Sequence, residues 1–129
     1  MTEKKLWQSL KKNLPKKTFC QRIENRAGEG MPDTYIMADG VPLWVELKVT
    51  KNDRVSVRPS QIAWHSAHNR CGGVSFFLIL HGKTGDLYSF DGGRAAEIAD
   101  SRFSDLCRAT SACAIDPSSW VGALRAGLL

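Results

Sequence analysis

The chain lacks any apolar run long enough to cross a bilayer. The longest, Val74–Leu80, has seven residues, where a membrane-spanning helix needs about 20. Charge begins at Glu3, with no apolar segment behind it, so no secretory leader is expected and the cytoplasm is. The four cysteines (Cys20, Cys71, Cys107 and Cys113) contain no C-x-x-C pair. That spacing argues against a disulfide framework or a structural zinc site, and predicts free, mostly buried thiols. His65, His68 and Cys71 recur every third residue, without the paired ligand units that zinc sites use. Internal repeats and low-complexity tracts are also missing, which excludes solenoids and compositionally disordered chains.

What is there reads as a single soluble domain over residues 1–129. Hydrophobic residues make up 43% and charged residues 24%, enough for a core without staples. The net charge of +5 is unevenly placed. Residues 1–26 carry Lys4, Lys5, Lys11, Lys12, Lys16, Lys17, Arg22 and Arg26 against Glu3 and Glu24, or +6, and the remaining 103 residues sum to −1. A basic segment on a near-neutral body predicts an anionic partner, with nucleic acid the leading class.

Apolar Leu6, Trp7, Leu10 and Leu14 predict an amphipathic helix over Glu3–Leu14, with Thr2 as N-cap and Pro15 as its end. Alternation predicts strands at Phe19–Glu24, Thr34–Met37 and Val41–Val49, with Asp39-Gly40 turning the last two into a hairpin. Pro59-Ser60-Gln61 opens a second helix to about Arg70. Val74–Leu80 reads as a buried strand and Asp86–Phe90 as a further one. A helical tail follows in two pieces, Ala95–Ala109 and one starting at Asp116-Pro117. Its apolar residues Trp120, Val121, Leu124, Leu128 and Leu129 suit either a lid on the core or a dimer surface. The expected organisation is a basic N-terminal helix (1–15), a core (18–90) and the tail (95–129). The fold class is α/β, with a mixed central sheet flanked by helices.

On the Val41–Val49 strand, Leu43, Val45, Leu47 and Val49 face one way and Trp44, Glu46 and Lys48 the other. Glu46 and Lys48 are then roughly 6.6–7 Å apart along one face. Through the hairpin, Asp33 comes near their end of the strand. Two converging carboxylates beside a lysine suit metal-assisted phosphodiester hydrolysis, in which hard cations take oxygen ligands. The bland readings are a Pro-Asp turn and a solvent-facing ion pair. Trp44 and Trp64 read as core residues.

Pro32-Asp33, twelve residues, then Glu46-Leu47-Lys48, set within "RIENRAGEGMPD", "WVELKV" and "RPSQIAWH", resembles the PD-(D/E)xK nuclease superfamily. The resemblance spans residues 19–80 and is greatest to the branch of VRR-NUC domains and archaeal-type Holliday junction resolvases. It implies a restriction-endonuclease-like α-β-β-β-α-β core with a C-terminal helical extension. It also implies Mg²⁺, with Mn²⁺ able to substitute, held by Asp33, Glu46, the Leu47 carbonyl and an upstream acid. Glu24 is the choice for that acid, ahead of Glu3 and Glu29. Lys48 would be the catalytic lysine, and Gln61 would point back from the second helix. Lys11, Lys12, Lys16, Lys17, Arg22, Arg26, Arg54 and Arg58 would contact nucleic acid. The implied protein is a homodimeric, structure-selective DNA endonuclease acting on branched or junction DNA. Alternatives are a nuclease of the same fold acting on non-branched DNA in repair or restriction, and a non-catalytic nucleic-acid-binding module.

Overall fold

The computed structural model describes residues 1–23 and 30–126. Period-2 alternation forms the strand expected of it: β3 covers Val41–Val49, and β2 (Thr34–Ala38) folds back on it. Asp39 and Gly40 both take positive φ, 50° and 76°, the two-residue turn whose twist matches that of the strands. β1 (Phe19–Arg22) adds antiparallel to β2, with Arg22 opposite Thr34. β4 (Ser75–Leu80) runs parallel to β3, and β5 (Leu87–Asp91) antiparallel to β4. The mixed sheet therefore has the order β1-β2-β3-β4-β5.

A parallel neighbour needs a crossover, and the helix Pro59–Arg70 supplies it. Counting from α1 (Glu3–Lys11), this helix is α2. Every residue of β4 is buried, so alternate side chains feed two cores. Phe76, Leu78 and Leu80 join Ile36, Leu43, Val45 and Leu47 beneath α1 and the last helix. Phe77 and Ile79 join Val55, Phe90, Ile98, Phe103 and Leu106 on the opposite face. The order of elements up to β4 is α-β-β-β-α-β, as expected.

Some boundaries differ from the sequence reading, each for a local or tertiary reason. α1 stops at Lys11 rather than Leu14. Pro15 disfavours helical geometry at Leu14, which still packs on the core. The piece expected as one helix over Ala95–Ala109 is two, α3 (Ala95–Asp100) and α4 (Phe103–Thr110). Ser101 and Arg102 are extended between them, and Asp53 caps α4: its carbonyl accepts from Phe103 N and its Oδ1 from Ser104 N. Asp116 caps a 3₁₀ turn at Pro117–Ser119 that leads into α5 (Trp120–Ala126).

Trp120, Val121 and Leu124 are buried under α1, so these residues form a lid on the core. Leu128 and Leu129 lie outside the described residues. The four cysteines are free but not buried: Cys71 and Cys113 are exposed at helix ends and loops, and Cys20 and Cys107 are half-buried. Among the described residues no helix is long and apolar enough to cross a membrane.

Candidate active site

The hairpin register sets Thr34 against Val45, so Asp33, one residue earlier, meets Glu46. The backbone N–H of Asp33 donates to Glu46 Oε2 at 3.0 Å, and that of Leu47 donates to Asp33 Oδ1 at 3.3 Å. The N–H and C=O of a strand residue leave by the same edge, so the Leu47 carbonyl faces the Asp33 side. That edge of β3 is open past Val45, where its pairing with β2 stops.

The face read as polar in the sequence is covered by α2. Gln61, in the first turn of that helix, uses both ends of its amide. Nε2 donates to Glu46 Oε1 at 2.7 Å, while Oε1 accepts from Lys48 Nζ at 3.2 Å and from the Arg58 N–H at 3.0 Å. Lys48 Nζ lies 3.7 Å from Glu46 Oε1. Glu46 is only 5% exposed and Gln61 3%, so these contacts operate in a sheltered, low-dielectric setting. The site is closed by a near approach of backbone. Gly30 has φ +82°, and a Cβ there would fall 2.0 Å from the Ser60 carbonyl oxygen. Only glycine lets the segment before Pro32-Asp33 lie against the start of α2.

One turn after Gln61, His65 is fully buried, and its Nδ1 meets Ser75 Oγ at 2.7 Å. Ser75 Oγ donates to Asn69 Oδ1 at 3.1 Å, and Asn69 Nδ2 donates to Asp91 Oδ1 at 3.1 Å. Because the single serine proton goes to Asn69, the assignment that satisfies the chain puts the ring proton on Nδ1. This network ties α2 to β4 and β5, holding the Gln61 end in place.

Electrostatics follow from burial. Glu46 is pushed up to about 7, by desolvation first and then by the Asp33 carboxylate, with Lys48 opposing. Burial also raises Asp33, against the Arg22 guanidinium and hydrogen bonds from Thr34 and Leu47. Two carboxylates this close disfavour each other's ionisation, and a hard divalent cation removes that conflict. The donors fit such an ion: carboxylate oxygens of Asp33 and Glu46, with the Leu47 carbonyl at the same edge. Among the described residues no set of three or more His, Cys, Asp or Glu gathers. Glu24, assigned to complete the set, and Glu29 lie outside the described residues, and Glu3 is an exposed residue in the first turn of α1. Burial takes His65 down to about 4, so it is neutral at pH 7.

Arg22, assigned from sequence to nucleic acid, is turned inward. It donates to Thr34 Oγ1 at 2.8 Å, pairs with Asp33 at 3.0 Å, and lies 5.9 Å from the Trp7 ring centroid. Arg58 is exposed as the N-cap of α2, and Arg54 is exposed with one N–H on the Asp100 carbonyl. Lys11, Lys12, Lys16 and Lys17 are exposed. Lys16 and Lys17 enter β1 where Phe19 opposes Met37, the Asp39–Gly40 end of the sheet and not the Asp33 end. Arg26 lies outside the described residues. Trp44 and Trp64, read as core, are half-buried in a row of rings: Tyr35–Trp44 at 4.9 Å, Trp44–Trp64 at 5.9 Å and Trp64 stacked on His68 at 4.5 Å. Sequence reasoning missed Gly30 and Ser75, and weighed His65 only as a metal ligand with His68 and Cys71. For Gly30 the one local signal was a glycine two residues before Pro-Asp, and for Ser75 and the packing role of His65 there was none.

No family model and no curated protein sequence matches the chain. Among solved structures, the fold is similar to that of Hjc, a Holliday junction resolvase from the archaeal hyperthermophile Archaeoglobus fulgidus. The two share 15% sequence identity over 70% of this chain and 74% of that one, with a TM-score of 0.51. The fold class is therefore the one expected, an α/β restriction-endonuclease-like core with a mixed five-stranded sheet flanked by helices.

Proposed function

We propose that this chain is a cytoplasmic, Mg²⁺-dependent DNA endonuclease selective for branched structures, acting as a homodimer. The observation that carries the reading is the convergence of Asp33, Glu46, Lys48 and Gln61 on one sheltered spot. The likeness of the fold to a junction resolvase adds support. A pure binding module gains nothing from buried carboxylates facing phosphate, since without a cation they repel it.

A divalent cation held by Asp33, Glu46 and the Leu47 carbonyl would acidify a bound water and offset charge on the scissile phosphate. The protein's own groups do the rest. The Glu46 carboxylate is fixed by the Asp33 N–H and the Asp33 carboxylate by the Leu47 N–H, so both are held in place before anything binds. Lys48 Nζ, held by Gln61 Oε1, presents its remaining protons toward the attacking water or the phosphate. Gln61 keeps Glu46 and Lys48 in register from the covering helix. Two coordinated nicks in a four-way junction call for two sites related by a two-fold axis, which is the basis for the dimer.

The test is cleavage of four-way junction, flap, duplex and single-stranded DNA with Mg²⁺ or Mn²⁺. Lys48→Ala and Asp33→Asn are each expected to lower the rate by at least about 10²-fold, the usual cost of one transition-state contact, while binding persists. Preference for linear duplex would favour the repair or restriction alternative. Wild-type protein that binds DNA but cuts nothing with either metal would leave the binding module. Light scattering at micromolar concentration should give the mass of two chains, and a monomer would remove the dimer.

A further inference from the structure

The excess positive charge of residues 1–26 is legible in the sequence, yet Lys16 and Lys17 sit at the end of the sheet away from Asp33. At the near end a second basic surface assembles from residues scattered along the chain. Two residues past Lys48, Thr50 opens a cleft of about 640 Å³ walled by Lys51, Asp53, His81, Lys83 and Arg102. Lys51 also borders an adjoining cleft of about 620 Å³ that includes Arg54. Lys51, Lys83 and Arg102 are exposed, and among the described residues none of them forms an ion pair.

Asp53, the acid lining this cleft, is already hydrogen-bonded, and Glu3 stands on the wall of the adjoining one. Asp53 Oδ1 accepts from Ser104 N at 3.0 Å, and Oδ2 accepts from Ser104 Oγ at 2.6 Å. His81 Nδ1 accepts from the Lys83 and Thr84 N–H groups at 3.2 Å each. That leaves Nε2 to carry the ring proton as a donor. Three cations outside any close ion pair and an imidazole N–H outnumber the cleft's one carboxylate, which Ser104 holds and Arg102 faces, and make a lining for anionic oxygens. Lys51 borders both clefts and Arg54 adds a cation to the second, beside Glu3, so the basic lining runs on past one pocket and suits a polyanion better than a single small anion. The cleft starts about 7 Å beyond Lys48 along β3, by the rise of a strand, or roughly two nucleotide rises of a DNA strand.

We propose that this cleft binds the phosphate backbone of the DNA arm beyond the cut, through Lys51, Lys83, Arg102 and the His81 N–H. It rests on the nuclease reading for the identity of the polyanion. The experiment measures binding of wild type and of the Lys51→Ala/Lys83→Ala/Arg102→Ala variant to a four-way junction and a linear duplex. Salt runs from 50 to 200 mM without divalent metal, with Lys16→Ala/Lys17→Ala alongside. The triple variant should flatten the log affinity–log salt slope by about 2–3, near 0.9 per lost phosphate contact, and bind at least tenfold more weakly at 50 mM. Its thermal midpoint should match wild type, and Lys51→Arg/Lys83→Arg should restore the slope.

A triple variant with wild-type slope and affinity overturns the cleft, as does a wild type that binds no DNA at 50 mM salt. Cleavage in Mg²⁺ is scored separately. Wild-type protein with the predicted slope but no cleavage defeats the nuclease reading and leaves the cleft, whereas a triple variant that binds and cuts normally defeats the cleft alone.

Discussion

Burial pushes Glu46 up to about 7 and His65 down to about 4, so two neighbouring buried groups act against each other over one span of pH. Glu46 has a folded pKa above its ordinary 4.5. Its contribution is complete below 4.5 and is lost as pH rises through about 7. His65 has a folded pKa below its ordinary 6.5. Its contribution is complete above 6.5 and is lost as pH falls through about 4. Each amounts to roughly 3 kcal/mol by the usual conversion, so wild type is expected to show little net change from these two groups in metal-free buffer. Glu46→Gln should lose more stability than wild type on acidification from pH 6.5 to 4.5, and His65→Asn should lose more on alkalinisation from 4.5 to 7. Urea midpoints at four pH values check this, and variant curves parallel to wild type would contradict it. Mg²⁺ should raise the wild-type melting temperature most above pH 7, where Glu46 gives up its proton, and Glu46→Gln should lose that response.

At the scale of elements, α2 bears on the site at its front and is anchored at its back. Gln61 reaches Glu46 and Lys48, while His65 and Asn69 hold Ser75 and Asp91. Ser75→Ala leaves buried His65 and half-buried Asn69 each short of a partner and should cost about 1–3 kcal/mol, with cleavage reduced less than in Lys48→Ala. Gly30→Ala places a methyl against the Ser60 carbonyl at a backbone angle unsuited to alanine. It should cost about 1–3 kcal/mol and lower cleavage by displacing the start of α2 from Asp33, which melting and rate measurements on one preparation would show. β3 and α2 were legible to the residue because their signals are local: strict alternation in one, Pro59 and Gly72-Gly73 punctuation in the other. The break between α3 and α4 was not, since Asp53 supplies the cap from fifty residues upstream. Nor was the cover over Glu46 and Lys48, because alternation reports that a face differs from its reverse and not what lies on it.

At the scale of the molecule, charge counted along the chain and charge laid out in space disagree. Residues after Arg26 sum to −1, yet Lys51, Lys83 and Arg102 converge at the site's end of the sheet. Linear bookkeeping averages them with acids that the fold sends elsewhere, such as Asp105 and Asp116 on the exposed tail. Asp33, Glu46, Lys48 and Gln61 were recoverable from sequence because a single hairpin and one crossover helix bring them together. A surface built from three separate connections (residues 50–53, 81–83 and 102) is not recoverable that way.

The indole N–H of Trp120 donates to the Leu10 carbonyl at 3.0 Å, and its ring lies edge-on to Trp7 at 6.5 Å. This contact joins positions 110 residues apart, so it closes a loop of most of the chain and belongs late on the folding route. Late contacts govern the rate of escape from the native state more than the rate of reaching it. Trp120→Phe should therefore hasten unfolding several-fold in a denaturant-jump experiment while leaving the refolding rate nearly unchanged. The clasp between the first and last helices would then set how long the folded molecule persists, rather than how quickly it forms.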